Sequence, residues 1–407
     1  MLDGLVAVCA SIVLLTIVMD RVYSGILRWF HPDLWQLEKD YSYQPTVSVI
    51  IPCFNEGRVV YDTIESVVHS DYPAEKLEVI AVDDCSRDDS YVWIKKAAAD
   101  FPNVFAHQTP VNSGGKDGAT MYGFRRSVGD VILLTDSDTL FDADTVKELV
   151  VCLSDPTIGA AAGSVRVRNQ NQSLIAAFQA YTYFIVFELT KTAQSFMRTV
   201  ACCSGAMLTI RRHLLVEIQK ELEERHWFGI PVHDGEDRFI THRVILKGWG
   251  TYTNPAAKCW TAAPATFTEY FKQQLRWRRT GLRDFFFTVR TLHRHLDLHP
   301  GAIYGYLIQP LATFIPLIAG FYAAMSGELL EVSIVGLVSF FLSAVIAAFF
   351  LNKYDPEHAI KTPIKLALCA TLWALNTVFL TILAMFTLDQ AGWVTRDQKP
   401  KEEKAVV

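Results

Sequence analysis

Between residues 46 and 134 the chain alternates short β-branched runs with helical patterns, and the runs end in polar residues. Val47-Ser48-Val49-Ile50-Ile51 stops at Pro52 and is followed by Asn55-Glu56. Leu77-Glu78-Val79-Ile80-Ala81-Val82 ends at Asp83-Asp84. A third run lies near 104–108, and Val131-Ile132-Leu133-Leu134, bounded by Gly129, leads through Thr135 into Asp136-Ser137-Asp138. Helical patterns cover 59–69, 91–99 and 119–126. Short apolar runs bounded by turn residues fit buried strands. The alternation predicts an α/β fold, a mostly parallel sheet with helices on both faces. In such sheets the ligand sits outside the carboxyl ends of the strands, where these acids fall.

Residues i and i+2 of an extended segment point the same way, so Asp136 and Asp138 can share one ligand. Two carboxylates so placed suit Mg²⁺ or Mn²⁺ bridging a diphosphate; helix capping is the simpler use of such residues. A carboxylate at the end of the second strand, Asp83 or Asp84, can accept from a uracil N3–H or a ribose hydroxyl. Lys116 can supply a point charge to phosphate. The usual nucleotide loops are missing: no G-x-G-x-x-G follows the first strand. Ser113-Gly114-Gly115-Lys116 is no P-loop, since Pro110 stands where the leading glycine belongs and Asp117 replaces Ser/Thr.

Hydrophobic residues make up 51% of the 407, with the excess near the ends. Residues 5–19 are nearly all apolar, and further apolar stretches cover about 302–324, 329–351 and 364–388. Each of the last three approaches or exceeds the roughly 20 residues that cross a hydrocarbon core of about 30 Å. The first has Arg21 and Arg28 on its C-terminal side and no basic n-region, which favours a retained anchor with the middle of the chain in the cytosol. Lysines at 353, 361 and 365 place the loop between the last two stretches inside, and parity then places the tail after Leu388 outside. A net charge of −5 without a basic footprint argues against nucleic acid. The eight cysteines include no C-x-x-C pair, and six of them (Cys53, Cys85, Cys152, Cys202, Cys203 and Cys259) fit reduced cytosolic thiols.

Two later segments carry more chemistry. His233-Asp234-Gly235-Glu236-Asp237-Arg238 opens a helical pattern over 239–246, which puts acids in a first helical turn. Gln273-Gln274-Leu275-Arg276-Trp277-Arg278-Arg279 lies in an amphipathic helix, with Gln273, Arg276 and Trp277 on one face and Phe285, Phe286 and Phe287 suited to a bilayer interface.

The series Asp83/Asp84, Asp136-x-Asp138, Gly235-Glu236-Asp237 and Gln273-x-x-Arg276-Trp277 resembles that of processive family 2 glycosyltransferases. The match runs from about 47 to 279. Ser204-Gly205-Ala206 with Arg211-Arg212 is similar to the S-G-P…Y-R-R segment of hyaluronan and chitooligosaccharide synthases, with Ala206 in place of proline and Glu236 in place of the first Asp of G-D-D. The resemblance implies a GT-A (Rossmann-like) cytosolic catalytic domain at 45–260. An anchor at 1–30, interface helices at 261–300, three transmembrane helices at 301–390 and a polar tail at 391–407 complete the expected chain. It implies a plasma-membrane enzyme that inverts a UDP-sugar donor and extends a growing polysaccharide across the lipid bilayer; nothing sets an oligomeric state. Asp237, with Glu236 beside it, would be the general base. Asp83, Asp84, Lys116, Asp136, Gln273 and Arg276 would bind UDP. Asp136 and Asp138 would hold Mg²⁺ or Mn²⁺, and Trp277, Ser204 and Gly205 would face the acceptor. Two other readings are a non-processive transferase adding one sugar to a lipid, and a transporter whose nucleotide domain only binds.

Overall fold

The computed structural model describes residues 36–298, 301–327, 329–354 and 379–390, with Asp20, Ile26, Lys365, Leu368, Leu372 and Asn376 as isolated positions. The expected N-terminal anchor, the polar tail and most of the last apolar stretch lie outside these residues.

The first half folds as its pattern predicts. Strand β1 (Val47–Cys53) is followed by helix α1 (Val59–Val68), β2 (Leu77–Asp83), α2 (Ser90–Asp100), β3 (Val104–Gln108), α3 (Lys116–Phe124) and β4 (Val131–Leu134). β1 pairs in parallel with β2 and β4, and β2 with β3, so the acids after β2 and β4 emerge at one edge. Both faces of β1, β2 and β4 are buried, whereas the edge strand β3 is partly exposed. Val49, Ile51 and Val79 point towards α1 and α2, whereas Ile50 and Ile132 pack with Met121 and Phe124 of α3. Burial on both faces explains why the strands read as continuous apolar runs rather than alternating ones.

The second half corrects the mostly parallel expectation. The sheet has eight strands in the order β3-β2-β1-β4-β7-β6-β10-β5. Here β5 is Leu140–Phe141, β6 is Ile158–Val167, β7 is Leu208–Arg211 and β10 is Gly250–Thr261. β7 runs antiparallel to both β4 and β6, while β5 runs antiparallel to β10. Four of the seven neighbouring pairs are parallel, so the sheet is mixed. β7 was not expected; it has only four residues, Leu208-Thr209-Ile210-Arg211, too few to show a period.

A buried helical layer spans Leu174–Phe184 (α4), a π-helical stretch at Ile185–Thr190 and Lys191–Phe196 (α5). Ser173 caps it, its hydroxyl accepting from the Ala176 N–H at 3.1 Å. Then follow α6 (Arg212–Glu223), a short hairpin of β8 (His226–Trp227) and β9 (Ile230–Pro231), α7 (Glu236–Leu246) and the long α8 (Phe267–Leu298). Helices α9 (Gln309–Ser326) and α10 (Leu329–Tyr354) coincide with two of the apolar stretches. Phe321, Met325 and Phe349 on them face outward. Among the described residues no helix is long and apolar enough to cross a membrane.

Contacts of α8 show where the end of the last apolar stretch packs. Arg279 donates to Thr387 Oγ1 (2.9 Å) and Gln390 Oε1 (2.8 Å), and Arg283 donates to the Leu388 carbonyl (3.0 Å). The end of the last apolar stretch therefore lies beside the helix that carries Gln273, Arg276 and Trp277. Sequence charge alone had no means of showing this, because Thr387, Leu388 and Gln390 are neutral.

Candidate active site

Lys116 is the first residue of α3, and its ammonium reaches across the strand ends. It lies 2.6 Å from Asp136 Oδ1 and 2.9 Å from Glu236 Oε1, and donates to the Gly205 carbonyl at 3.4 Å. Three chain segments thus converge on one cation: the turn after β4, the loop before β7 and the first turn of α7. Burial pulls the Lys116 pKa down, but Asp136 and Glu236 outweigh it and hold the group above the ordinary lysine value. Burial pushes the Glu236 carboxyl up, and Lys116 more than offsets this, so Glu236 is held below the usual glutamate value.

Asp237 sits beside this trio. Its Oδ2 accepts from the Gly205 N–H at 3.0 Å and faces the Cys202 thiol at 3.6 Å; its Oδ1 accepts from the Arg238 N–H at 2.8 Å. Burial and the Asp237 charge push the Cys202 thiol up, so it stays protonated and donates. Cys202 carries no sequence signal for this position, since a lone cysteine points to nothing by spacing.

Two glycines are required by what surrounds them. A Cβ on Gly205 would lie 2.9 Å from Lys116 Nζ, 3.3 Å from Glu236 Oε1 and 3.5 Å from Asp237 Cβ. Gly235, which caps α7, has φ +70°, and a Cβ there would meet Thr280 Cγ2 at 2.1 Å. Left-handed backbone is disfavoured for other residues, so Gly235 both starts α7 and lets α8 approach closely. Ser204, beside Gly205, is half-buried with its carbonyl accepting from the Met207 N–H.

Asp83 and Asp84, expected to act alike, differ. Asp84 is occupied by its own loop, accepting from Thr109 Oγ1 (2.8 Å), the Ser113 N–H (2.9 Å) and Ser113 Oγ (2.9 Å). Asp83 accepts from Gln108 and the Ser86 N–H through Oδ2, while its buried Oδ1 has no hydrogen-bond partner among the described residues. A buried acceptor without a donor is costly unless a ligand satisfies it. Arg276 Nε on α8 is likewise buried and unpaired. Gln273 is half-buried and accepts weakly from Gln274 at 3.4 Å. These features mark Asp83 and Arg276, more than Asp84, as groups with something to offer a ligand.

Asp136 and Asp138 are both half-buried at the end of β4, and the Thr261 hydroxyl approaches Asp138 at 3.5 Å. Among the described residues no three His, Cys, Asp or Glu side chains gather as a metal site. Two carboxylates are what a hard divalent ion takes from a protein when substrate phosphates and water complete its shell. The donor set therefore fits Mg²⁺ or Mn²⁺ held jointly with a diphosphate. Tyr183 in α4, missed in the sequence because it lies in an aromatic stretch that reads as core, is buried; burial first, then Asp138 and Asp136, push its hydroxyl up. Its ring packs on Trp277, centroids 6.2 Å apart, and Trp277 is 40% exposed.

Asp234 was also missed, because it precedes the motif and reads as loop. It is paired with Arg283 of α8 at 2.5 Å, both side chains 4% exposed, and Thr280 donates to its other oxygen at 3.2 Å. This clasp ties the turn that launches Glu236 and Asp237 to α8.

A mixed α/β sheet with acids at its strand ends, closed by a helix bearing Q-x-x-R-W, defines a GT-A-like glycosyltransferase. The profile of glycosyltransferase-like family 2 matches residues 45–280, and the chain belongs to that family. An N-acetylglucosaminyltransferase of Mesorhizobium japonicum is 34% identical over 281 residues, 68% of this chain and 65% of that protein. Its counterpart in Bradyrhizobium diazoefficiens is 35% identical, over 61% of this chain and 51% of its own. The chain thus spans between about half and two thirds of the length of these two curated relatives. A hyaluronan synthase of Streptococcus pyogenes is 26% identical over 86% of this chain and 83% of that one. Among solved structures, a mannosyltransferase of Pyrobaculum calidifontis in complex with GDP-Man and Mn²⁺ shares the fold, with a TM-score of 0.56 and 21% identity over 93% of this chain and 98% of that one.

Proposed function

We propose that this family 2 enzyme is a processive, inverting, membrane-embedded glycosyltransferase. It draws sugar from a UDP-sugar, extends a β-linked chitin- or hyaluronan-type polysaccharide and passes the chain across the plasma membrane from a cytosolic catalytic domain. The relatives named N-acetylglucosaminyltransferase favour UDP-N-acetylglucosamine as the donor. The observation that carries this reading is the convergence of Lys116, Asp136, Glu236, Asp237 and the Gly205 backbone, with Arg276 and Trp277 on the flanking helix. Helix α10 (26 residues) lies in the apolar stretch at 329–351 that the sequence offers as a membrane segment. Its outward apolar side chains support the membrane part of the proposal.

Asp83 and Arg276 offer their unpaired atoms to the nucleotide. Asp237 Oδ2 takes the proton of the acceptor hydroxyl as that oxygen bonds to C1 of the donor. The C1–O bond to the diphosphate breaks with its electron pair leaving on UDP, so the anomeric centre inverts. Lys116 and Arg276 offset the charge that develops there. A divalent ion held by Asp136 and Asp138 would add Lewis-acid stabilisation of the same leaving group. Trp277 presents an indole face to the acceptor sugar.

UDP release tests the reading: purified enzyme is mixed with UDP-sugars singly and in pairs. Release should be sustained with at least one of them and stop on addition of EDTA; the absence of turnover with every sugar would refute it. Asp138→Ala should weaken metal-dependent UDP binding, measured by calorimetry, and unchanged binding would refute the metal assignment. Trp277→Ala should shorten the product, stacking being worth about 0.5–1.5 kcal/mol or up to roughly tenfold in acceptor retention. Trp277→Phe should shorten it less than Trp277→Ala, and full-length product from Trp277→Ala on a gel would exclude the acceptor role.

A further inference from the structure

The position of Lys116 has a consequence for the order in which the site fills, resting on the proposed metal role of Asp136. Asp136 is already neutralised. Its Oδ1 lies 2.6 Å from an ammonium that is largely buried, while Glu236, itself buried, holds the same ammonium at 2.9 Å from the other side. The Gly205 carbonyl, 3.4 Å away, completes the seat.

The two carboxylates are not equivalent partners. Asp136 is 40% exposed at its side chain, so water can take over its solvation if the lysine withdraws. Glu236 is 8% exposed, so losing Lys116 would leave a buried carboxylate without its cation, a costly state. Lys116 therefore releases Asp136 far more readily than Glu236.

We propose that Lys116 is a resident counter-ion that blocks Asp136 from binding a divalent ion until a nucleoside diphosphate arrives. Lys116 must give up Asp136 before that carboxylate can serve a divalent ion, and the ammonium then keeps Glu236 but loses one of its two ion pairs. A diphosphate offers a replacement anion, close to where Lys116 stands while still tethered to Glu236. The side chain thereby opposes metal binding in the empty site and favours nucleotide binding in the loaded one. A residue that simply added positive charge for phosphate would have only the second effect on binding measured with metal present. A residue that simply held the fold together would weaken both.

The test is Mn²⁺ binding followed by electron paramagnetic resonance on the full-length protein in nanodiscs, with no nucleotide present. Lys116→Met should bind Mn²⁺ at least tenfold more tightly than the wild type under these conditions, while its affinity for UDP in saturating Mn²⁺ falls at least tenfold. Because Lys116→Met strands Glu236, Lys116→Met/Glu236→Gln removes both charges and should show the same tightening of nucleotide-free Mn²⁺ binding if the single variant does not fold. Nucleotide-free Mn²⁺ binding that is unchanged or weaker in the folded variant overturns the proposal. Asp136→Ala separates the two levels of failure. If it leaves Mn²⁺ binding in saturating UDP unchanged, the metal does not use Asp136 and the underlying reading falls with the proposal. If it weakens that binding but Lys116→Met does not tighten nucleotide-free binding, only the counter-ion role is lost.

Discussion

Asp237→Asn should abolish sugar transfer while leaving UDP affinity within about twofold of wild type. The amide keeps the shape of the carboxylate but has a single oxygen, so it can accept from the Gly205 N–H or the Arg238 N–H and not from both. What it loses is the capacity to take a proton. The nucleotide contacts proposed for Asp83 and Arg276 lie on β2 and α8, not on α7. Loss of a general base costs typically 10²–10⁴-fold, about 3–5 kcal/mol in the barrier. The measurement is initial UDP release at saturating donor beside UDP titration by calorimetry. A variant retaining more than a tenth of the wild-type rate would remove Asp237 from the role of base.

Arg283→Met should destabilise the protein by about 3–5 kcal/mol, the cost of leaving a buried ion without its partner. Asp234 would keep only the Thr280 hydroxyl, and the Leu388 carbonyl would lose its donor. Because Asp234 directly precedes Gly235, the loss should also loosen the first turn of α7 and lower kcat. Asp234→Asn/Arg283→Met, which removes both charges, should recover a large part of the stability, as expected when an unpaired charge rather than a missing contact is the fault. Thermal denaturation of the two variants decides this. Equal destabilisation of both would mean that the clasp matters for packing alone.

Why some of this was legible in the sequence, and some not, follows from how far apart the interacting residues lie. Strands β1 to β4 are short apolar runs with turn residues at each end, and their parallel pairing places Asp83 and Asp136 at a common edge by period alone. Gly235 was visible as part of a motif, but its +70° φ and its closeness to α8 depend on Thr280, which comes 45 residues later. The Asp234–Arg283 pair joins residues 49 apart, and each sits among other charged residues, so the sequence does not single out its partner. β7 inserts antiparallel between β4 and β6, a long-range choice that four residues could not signal. The parity count could not show where Thr387–Gln390 pack, for a related reason. It counted apolar stretches, whereas Arg279 and Arg283 fix Thr387–Gln390 through neutral side-chain and carbonyl oxygens. Asp84 shows the converse: a correct-looking acid whose oxygens are consumed by Thr109 and Ser113.

The central claim, chain extension without release, is tested most directly by product length at early times. Enzyme in nanodiscs is given radiolabelled UDP-N-acetylglucosamine in large excess, and products are resolved by gel after less than one turnover per hundred donors. The account predicts long chains from the outset beside unused donor, with Trp277→Ala shifting them shorter. A product carrying a single added sugar, or a ladder whose mean length grows in step with donor consumed, would contradict it.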